Sequence, residues 1–222
     1  MSPVTAKSTP PSRHREQTPR EEFANAASAG VGLALAIFGL SLLAGATIDN
    51  PDFFVQAGAA AYGLSLLTVA VTSTAYHAAP AGRWKQALRI ADHVAIYALI
   101  AGTYSPFALG PLRGHGGGWL FLAEWALTLG GVVFVLKGGM DRRRWSNAFY
   151  LVMGWLGILV MPQFLAHVPH ASLVWLLIGG LTYSFGVIFY SAKRLPFGHF
   201  VWHLFVIGGA TCHFLAVLNV IP

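Results

Sequence analysis

Seven apolar stretches without a single Lys or Arg limit what this chain can become: Asn25–Thr47, Phe53–Ala79, Ile90–Pro111, Gly118–Leu136, Asn147–Leu165, Ser172–Tyr190 and His199–Ile221. A helix needs about 20 apolar residues to cross a bilayer core. Backbone groups in lipid must bond within their own segment or close into a barrel. Continuous apolarity suits helices, because barrel strands alternate over about ten residues. The expected fold class is an all-α membrane protein, a seven-transmembrane helix bundle. Composition agrees, with 55% of residues hydrophobic and 10% charged, against roughly 25% charged in ordinary soluble domains. That balance excludes a disordered chain, a coiled coil and a water-soluble globule. The single cysteine, Cys212, excludes an internal disulfide, a CxxC pair and a cysteine-built zinc site.

Cationic residues between the stretches set the orientation, because cytoplasmic loops are enriched in Lys and Arg. Of 14 such residues, only Arg113 falls on one side. The other side takes Lys7, Arg13, Arg15 and Arg20, then Arg83, Lys85 and Arg89, then Lys137 and Arg142 to Arg144, then Lys193 and Arg194. The expectation is a cytoplasmic N-terminus, an external C-terminus and a multi-pass protein of the inner cell membrane. Residues 1–20, rich in Pro, Ser, Thr and Arg, are expected to form a disordered cytoplasmic tail, with residues 21–222 as the membrane domain. No signal peptide is read in the tail, and the first span serves as the insertion signal. The net charge of +6 belongs to loops that anchor the chain and touch anionic lipid. No basic face with interleaved aromatics points to nucleic acid. Gly114–Gly118 reads as a turn, since no strand precedes it and no Lys-Ser or Lys-Thr pair follows.

Titratable side chains inside spans are costly and mark function. The acids there are Asp92 and Glu124, and the histidines are His77, His93, His199, His203 and His213. With this orientation, His77 ends the second span on the cytoplasmic side. Asp92 and His93 begin the third there, and His199 and His203 begin the seventh. His199 and His203 are spaced i,i+4, so one helical face can present both imidazoles to a single ion. His77 completes a His₃ set, the pattern of an open zinc site with water in the fourth position. Asp92 can bind that water or act as its general base. Ser73 lies one turn above His77 on the same face. Imidazole and carboxylate donors favour zinc, with iron and other divalent ions as alternatives. His93 is read as interfacial, pointing about 100° away from Asp92. His213, about 15 Å deeper than His203, is read as bonded within the bundle. His14, His115, His167 and His170 are read as solvated, and Glu124 as snorkelling or meeting Arg113. Trp84, Trp119, Trp145, Tyr150 and Tyr190 are read as an interfacial aromatic belt.

Several of these segments resemble a known family. They are Glu21-Glu22-Phe-Ala-Asn25, Ser73-Thr-Ala-Tyr-His77, Arg89-Ile-Ala-Asp92-His93-Val-Ala-Ile-Tyr97, Ala101-Gly-Thr-Tyr-Ser-Pro106-Phe, Met153-Gly-Trp155 and His199-Phe-Val-Trp-His203-Leu-Phe. Over residues 21–222 the chain resembles bacterial hemolysin III proteins of the progestin and adipoQ receptor superfamily. The resemblance implies seven helices, a cytoplasmic N-terminus and a zinc ion on His77, His199 and His203. It implies Asp92 in contact through a bound water, with Ser73 beside it. Members often carry a His shortly after the first-span Asn, where this chain has Ala29. The superfamily also includes alkaline ceramidases, which hydrolyse a lipid amide.

The expected function is a zinc-dependent hydrolase acting on a lipid amide or ester, with an acyl chain or ceramide-like substrate lying between helices. The alternative is a sensor or regulator of membrane lipid state whose zinc is structural. A cytolytic pore, which the family name suggests, fits poorly, because no amphipathic span is present to line a lumen.

Overall fold

A computed structural model describes residues 17–139, 143–192 and 194–221, and every regular element in them is helical. The helices are α1 (Pro19–Thr47), α2 (Phe53–Ala78), α3 (Arg83–Leu109), α4 (Gly117–Leu136), α5 (Arg143–Gly154), α6 (Met161–His167), α7 (His170–Ser191) and α8 (Gly198–Leu218), with a 3₁₀ turn at Leu156–Val160 between α5 and α6. The expected tail falls mostly on residues 1–16, outside the described residues. Its last residues instead build the start of α1. Thr18 caps the helix, its hydroxyl taking the Glu21 N–H while the Glu21 carboxylate takes the Thr18 N–H, and Pro19 occupies the first turn.

Six segments are long and apolar enough to cross a membrane: α1, α2, α4, Arg144–His167, α7 and α8. Their outer faces carry bare side chains such as Leu129 and Ile188, as surfaces wetted by lipid do. The expected third span is helical but falls short in apolarity. Its helix, α3, carries Arg83, Lys85, Arg89, Asp92 and His93 in its first half. It is also the helix its neighbours surround, packing on α2, α4, α5 and α8. Asp92 and His93 are half-buried among these neighbours, while Arg83 and Arg89 near the start of the helix stay exposed.

The expected fifth span is not one continuous helix. Gly154 ends α5 and Pro162 opens α6, and a proline supplies no N–H to continue a helical ladder. Tyr104 of α3 compensates the break: its hydroxyl donates to the Gly154 carbonyl at 2.8 Å and accepts the Gly157 N–H at 3.0 Å. Contact between α2 and α3 depends on missing side chains. A Cβ on Gly58 would stand 2.9 Å from the Pro106 Cα, and one on Gly102 would overlap the Ser65 side chain. Close approach here brings the C-terminal end of α2 beside the first half of α3.

Candidate metal centre

Four helices deliver polar side chains to one end of the bundle. α2 contributes His77 from its last turn, α8 contributes His199 and His203 from its first two, α3 contributes Asp92, and α1 contributes Glu22 and Ser28. α8 starts at Gly198 behind Phe197, whose φ of 56° is the left-handed conformation that a bulky residue rarely adopts. The N–H of Phe197 donates to the Glu21 carboxylate at 2.7 Å. Glu21, which also closes the cap of α1, therefore ties the start of α1 to the start of the helix that bears two of the histidines.

The three histidines come together as the spacing predicts. Ring centroids lie 5.0 Å apart for His77 and His199, 4.9 Å for His77 and His203, and 4.7 Å for His199 and His203. One ligand atom from each falls within 4.8 Å of the others, the one such group of three or more potential ligands among the described residues. His77 Nε2 and His199 Nε2 are 3.1 Å apart. Two nitrogens bound to one zinc at about 2.05 Å in tetrahedral geometry stand about 3.3 Å apart. The donor set and spacing therefore fit a divalent ion. His77 and His203 are each 7% exposed, so an ion there would be shielded from bulk water.

Asp92 and Ser73 stand outside the histidine group but on the wall of the same cavity. Ser73 on α2 and Asp92 on α3 line the wall of that cavity together. The cavity measures about 1290 Å³, above the roughly 300–1,000 Å³ of pockets for drug-sized ligands. Away from the histidines its walls are apolar, with Phe38, Leu66, Leu99, Phe107 and Phe214 among them.

Other polar residues depart from expectation. His93 is not simply interfacial: it lines the cavity, with Nδ1 2.8 Å from the Arg89 carbonyl and Nε2 3.1 Å from the Tyr190 hydroxyl. Tyr150 and Tyr190 leave the expected belt and turn inward, Tyr150 donating to the His93 carbonyl at 3.1 Å. Trp84, Trp119 and Trp145 are exposed. His213 bonds within the bundle, its Nε2 3.3 Å from the Leu176 carbonyl. His115 and His167 are exposed and stack on each other with centroids 3.7 Å apart. Glu124 neither snorkels nor meets Arg113. It is fully buried, and Arg113 forms a two-pronged pair with Asp52. Sequence reasoning missed Glu22 and Ser28. Glu22 Oε2 is 3.4 Å from His77 Nδ1, and Ser28 Oγ is 2.8 Å from His203 Nδ1. A Glu pair opening the first span was their only signal, and it also fits an ordinary helix start.

Residues 17–214 match the model of a family described as haemolysin-III related. A hemolysin-3 homolog of Bacillus subtilis is 41% identical over 207 residues, covering 90% of this chain and 94% of the relative. Hemolysin-3 of Bacillus cereus is 36% identical, covering 90% and 91%. Human monocyte to macrophage differentiation factor is 32% identical, covering 70% of this chain and 67% of its own length. No solved structure matches. With six segments among the described residues long and apolar enough to cross a membrane, these matches make the chain a multi-pass membrane protein.

Proposed function

Because the chain belongs to the haemolysin-III-related family, we propose that it is a seven-span protein of the inner cell membrane with a cytoplasmic N-terminus, and a zinc-dependent hydrolase of a lipid amide or ester bond. α3 is the seventh span, packed against α2, α4, α5 and α8, with Asp92 and His93 half-buried and Arg83 and Arg89 exposed at its cytoplasmic end. The cation bias of the loops puts the histidine end of the bundle on the cytoplasmic side. The observation that carries the reading is one cavity of about 1290 Å³ that joins three converging histidines, a carboxylate and apolar walls.

His77, His199 and His203 hold the ion. Zinc in a three-histidine site with an open position supplies Lewis acidity and lowers the pKa of water. Asp92 takes the proton of the attacking water and returns it to the leaving group, the exchange expected of a general base that becomes a general acid. Ser73, on the same cavity wall, is the hydroxyl that would orient the Asp92 carboxylate for that task. The apolar walls take the acyl chain, gaining about 0.8 kcal/mol for each CH₂ buried from water. A lipid already in the membrane gains less, so the walls chiefly orient the scissile bond.

A regulator with a structural ion is the second reading, favoured by the burial of His77 and His203. Asp92→Asn separates the two. In purified protein given ceramide-type and acyl-ester lipids, hydrolysis predicts a metal-dependent product that Asp92→Asn and His203→Ala both abolish, with metal content kept in Asp92→Asn. Absence of a metal-dependent product, or full turnover in His203→Ala, overturns the hydrolase. Wild-type lipid response in Asp92→Asn together with unfolding of the histidine variants selects the regulator.

A further inference from the structure

We propose that the first turns of α1, which donate no ligand themselves, position the metal site through Glu22 and Ser28. The proposal rests on the metal reading above. An imidazole has two nitrogens, and the hydrogen on one decides that the other offers its lone pair to a metal. At His203 the surrounding acceptors favour one arrangement. Ser28 Oγ lies 2.8 Å from His203 Nδ1 and 2.9 Å from the carbonyls of both Ala24 and Asn25. A hydroxyl has a single hydrogen, and a carbonyl can only accept. The Ser28 hydrogen goes to a carbonyl, so Oγ accepts the hydrogen of His203 Nδ1, which leaves the lone pair on Nε2.

Glu22 does the same for His77 with a carboxylate. Glu22 Oε2 faces His77 Nδ1 at 3.4 Å, and a carboxylate in that position accepts. The lone pair of His77 then lies on Nε2, the atom 3.1 Å from His199 Nε2. At 3.4 Å the contact is long for a hydrogen bond. It strengthens when a cation on the ring draws charge from the N–H, as in carboxylate–histidine–zinc arrangements. Lys85 holds Glu22 from the other side, its Nζ 3.5 Å from Oε1. The same Nζ donates to the Ala79 carbonyl at 3.2 Å and lies over the Tyr76 ring. One cation of the second basic segment thus has a task beyond orienting the chain. Two histidines on different helices receive their tautomers from a single neighbouring helix.

The test uses the full-length protein in detergent, stripped with a chelator and titrated with Zn²⁺ and Co²⁺ against a chromophoric competitor. Glu22→Ala and Ser28→Ala each weaken binding about 10- to 100-fold. Glu22→Gln has the same shape and keeps an oxygen acceptor, so it weakens binding less than Glu22→Ala. The visible absorption of bound Co²⁺ shifts in Glu22→Ala and Ser28→Ala. Thermal midpoints of the stripped variants match wild type, while the increment produced by saturating metal shrinks. Wild-type affinity and Co²⁺ spectrum in both alanine variants overturn the positioning role and leave the metal reading standing. So do midpoints that fall equally with and without metal, since those report structural support alone. A wild-type protein that binds neither ion overturns the metal reading and this proposal with it.

Discussion

The two ends of the bundle differ in how completely their buried polar groups are partnered. At the histidine end they reach across to another helix: Glu21 to Phe197, Glu22 to His77 and Ser28 to His203. Toward the other end, Glu124 on α4 and Ser172 on α7 are fully buried, and neither the Glu124 carboxylate oxygens nor the Ser172 hydroxyl meets a hydrogen-bond partner in the described chain. A buried polar group with no partner costs roughly 1–3 kcal/mol, and more if charged. Only the first arrangement fixes side chains at defined separations, which is what binding an ion requires. Asn25 bridges the contrast at the site itself, with Nδ2 bonded to Gln17 while Oδ1 finds no partner among the described residues.

The largest effect on stability is expected where one carboxylate serves two helices. Glu21 is 4% exposed and accepts from Thr18 at 2.8 Å and from Phe197 at 2.7 Å. Glu21→Ala leaves both N–H groups unsatisfied, costs about 3 kcal/mol, and lowers the thermal midpoint in detergent by on the order of 5–10 °C. Metal affinity falls with it, because α8 loses the anchor that sets its start. An unchanged midpoint would mean that the ties across the histidine end are ornamental, and the contrast between the halves would be gone.

The opposite sign is expected at Glu124. Replacing an unpartnered buried carboxylate by an apolar side chain of similar volume removes a desolvation cost and leaves no orphan behind. Glu124→Met stabilises the protein by about 1–3 kcal/mol and leaves metal affinity as it was. A loss of stability, measured as a lower unfolding midpoint, would assign Glu124 a partner and make the two halves alike. A loss of lipid turnover at unchanged metal content would assign it a place in the chemistry.

How much of this was readable in the residues differs between the halves too. The helices followed from apolar runs without Lys or Arg, a signal carried by 20 or so residues at once. The convergence of His77, His199 and His203 followed from a four-residue spacing and from depth along helices that alternate in direction. The contacts of α1 did not, because they depend on how α1 rotates about its own axis against α2 and α8. A capping signature such as Thr18 to Glu21 says where a helix starts and nothing of what it faces. Tyr150 and Tyr190 sit at depths where a belt is expected, and only packing decides that they turn inward to His93. The break after α5 had its signal in Gly154 and Pro162. Apolarity alone passed over it, since the 3₁₀ turn Leu156–Val160 is as apolar as the helices on either side.

The smallest effect concerns the Asp52–Arg113 ion pair at the end opposite the histidines. Asp52 caps α2 by accepting the Phe54 N–H at 2.9 Å, and it is bound by both prongs of Arg113. The Arg113 hydrogen bonds, followed by that of Phe54, hold the Asp52 carboxyl below its ordinary value of 3.8. A lowered carboxylate pKa contributes stability that is present in full above the unfolded value and fades as pH falls through the folded one. Asp52→Asn keeps a capping side chain and removes only the charge. Its midpoint is therefore expected slightly below wild type at pH 7, with the difference shrinking toward pH 3 and in high salt, because the pair faces solvent. A difference that survives both conditions would mean that shape at the cap, and not charge, joins α2 to the segment after α3, and this end of the molecule would then be held as the histidine end is.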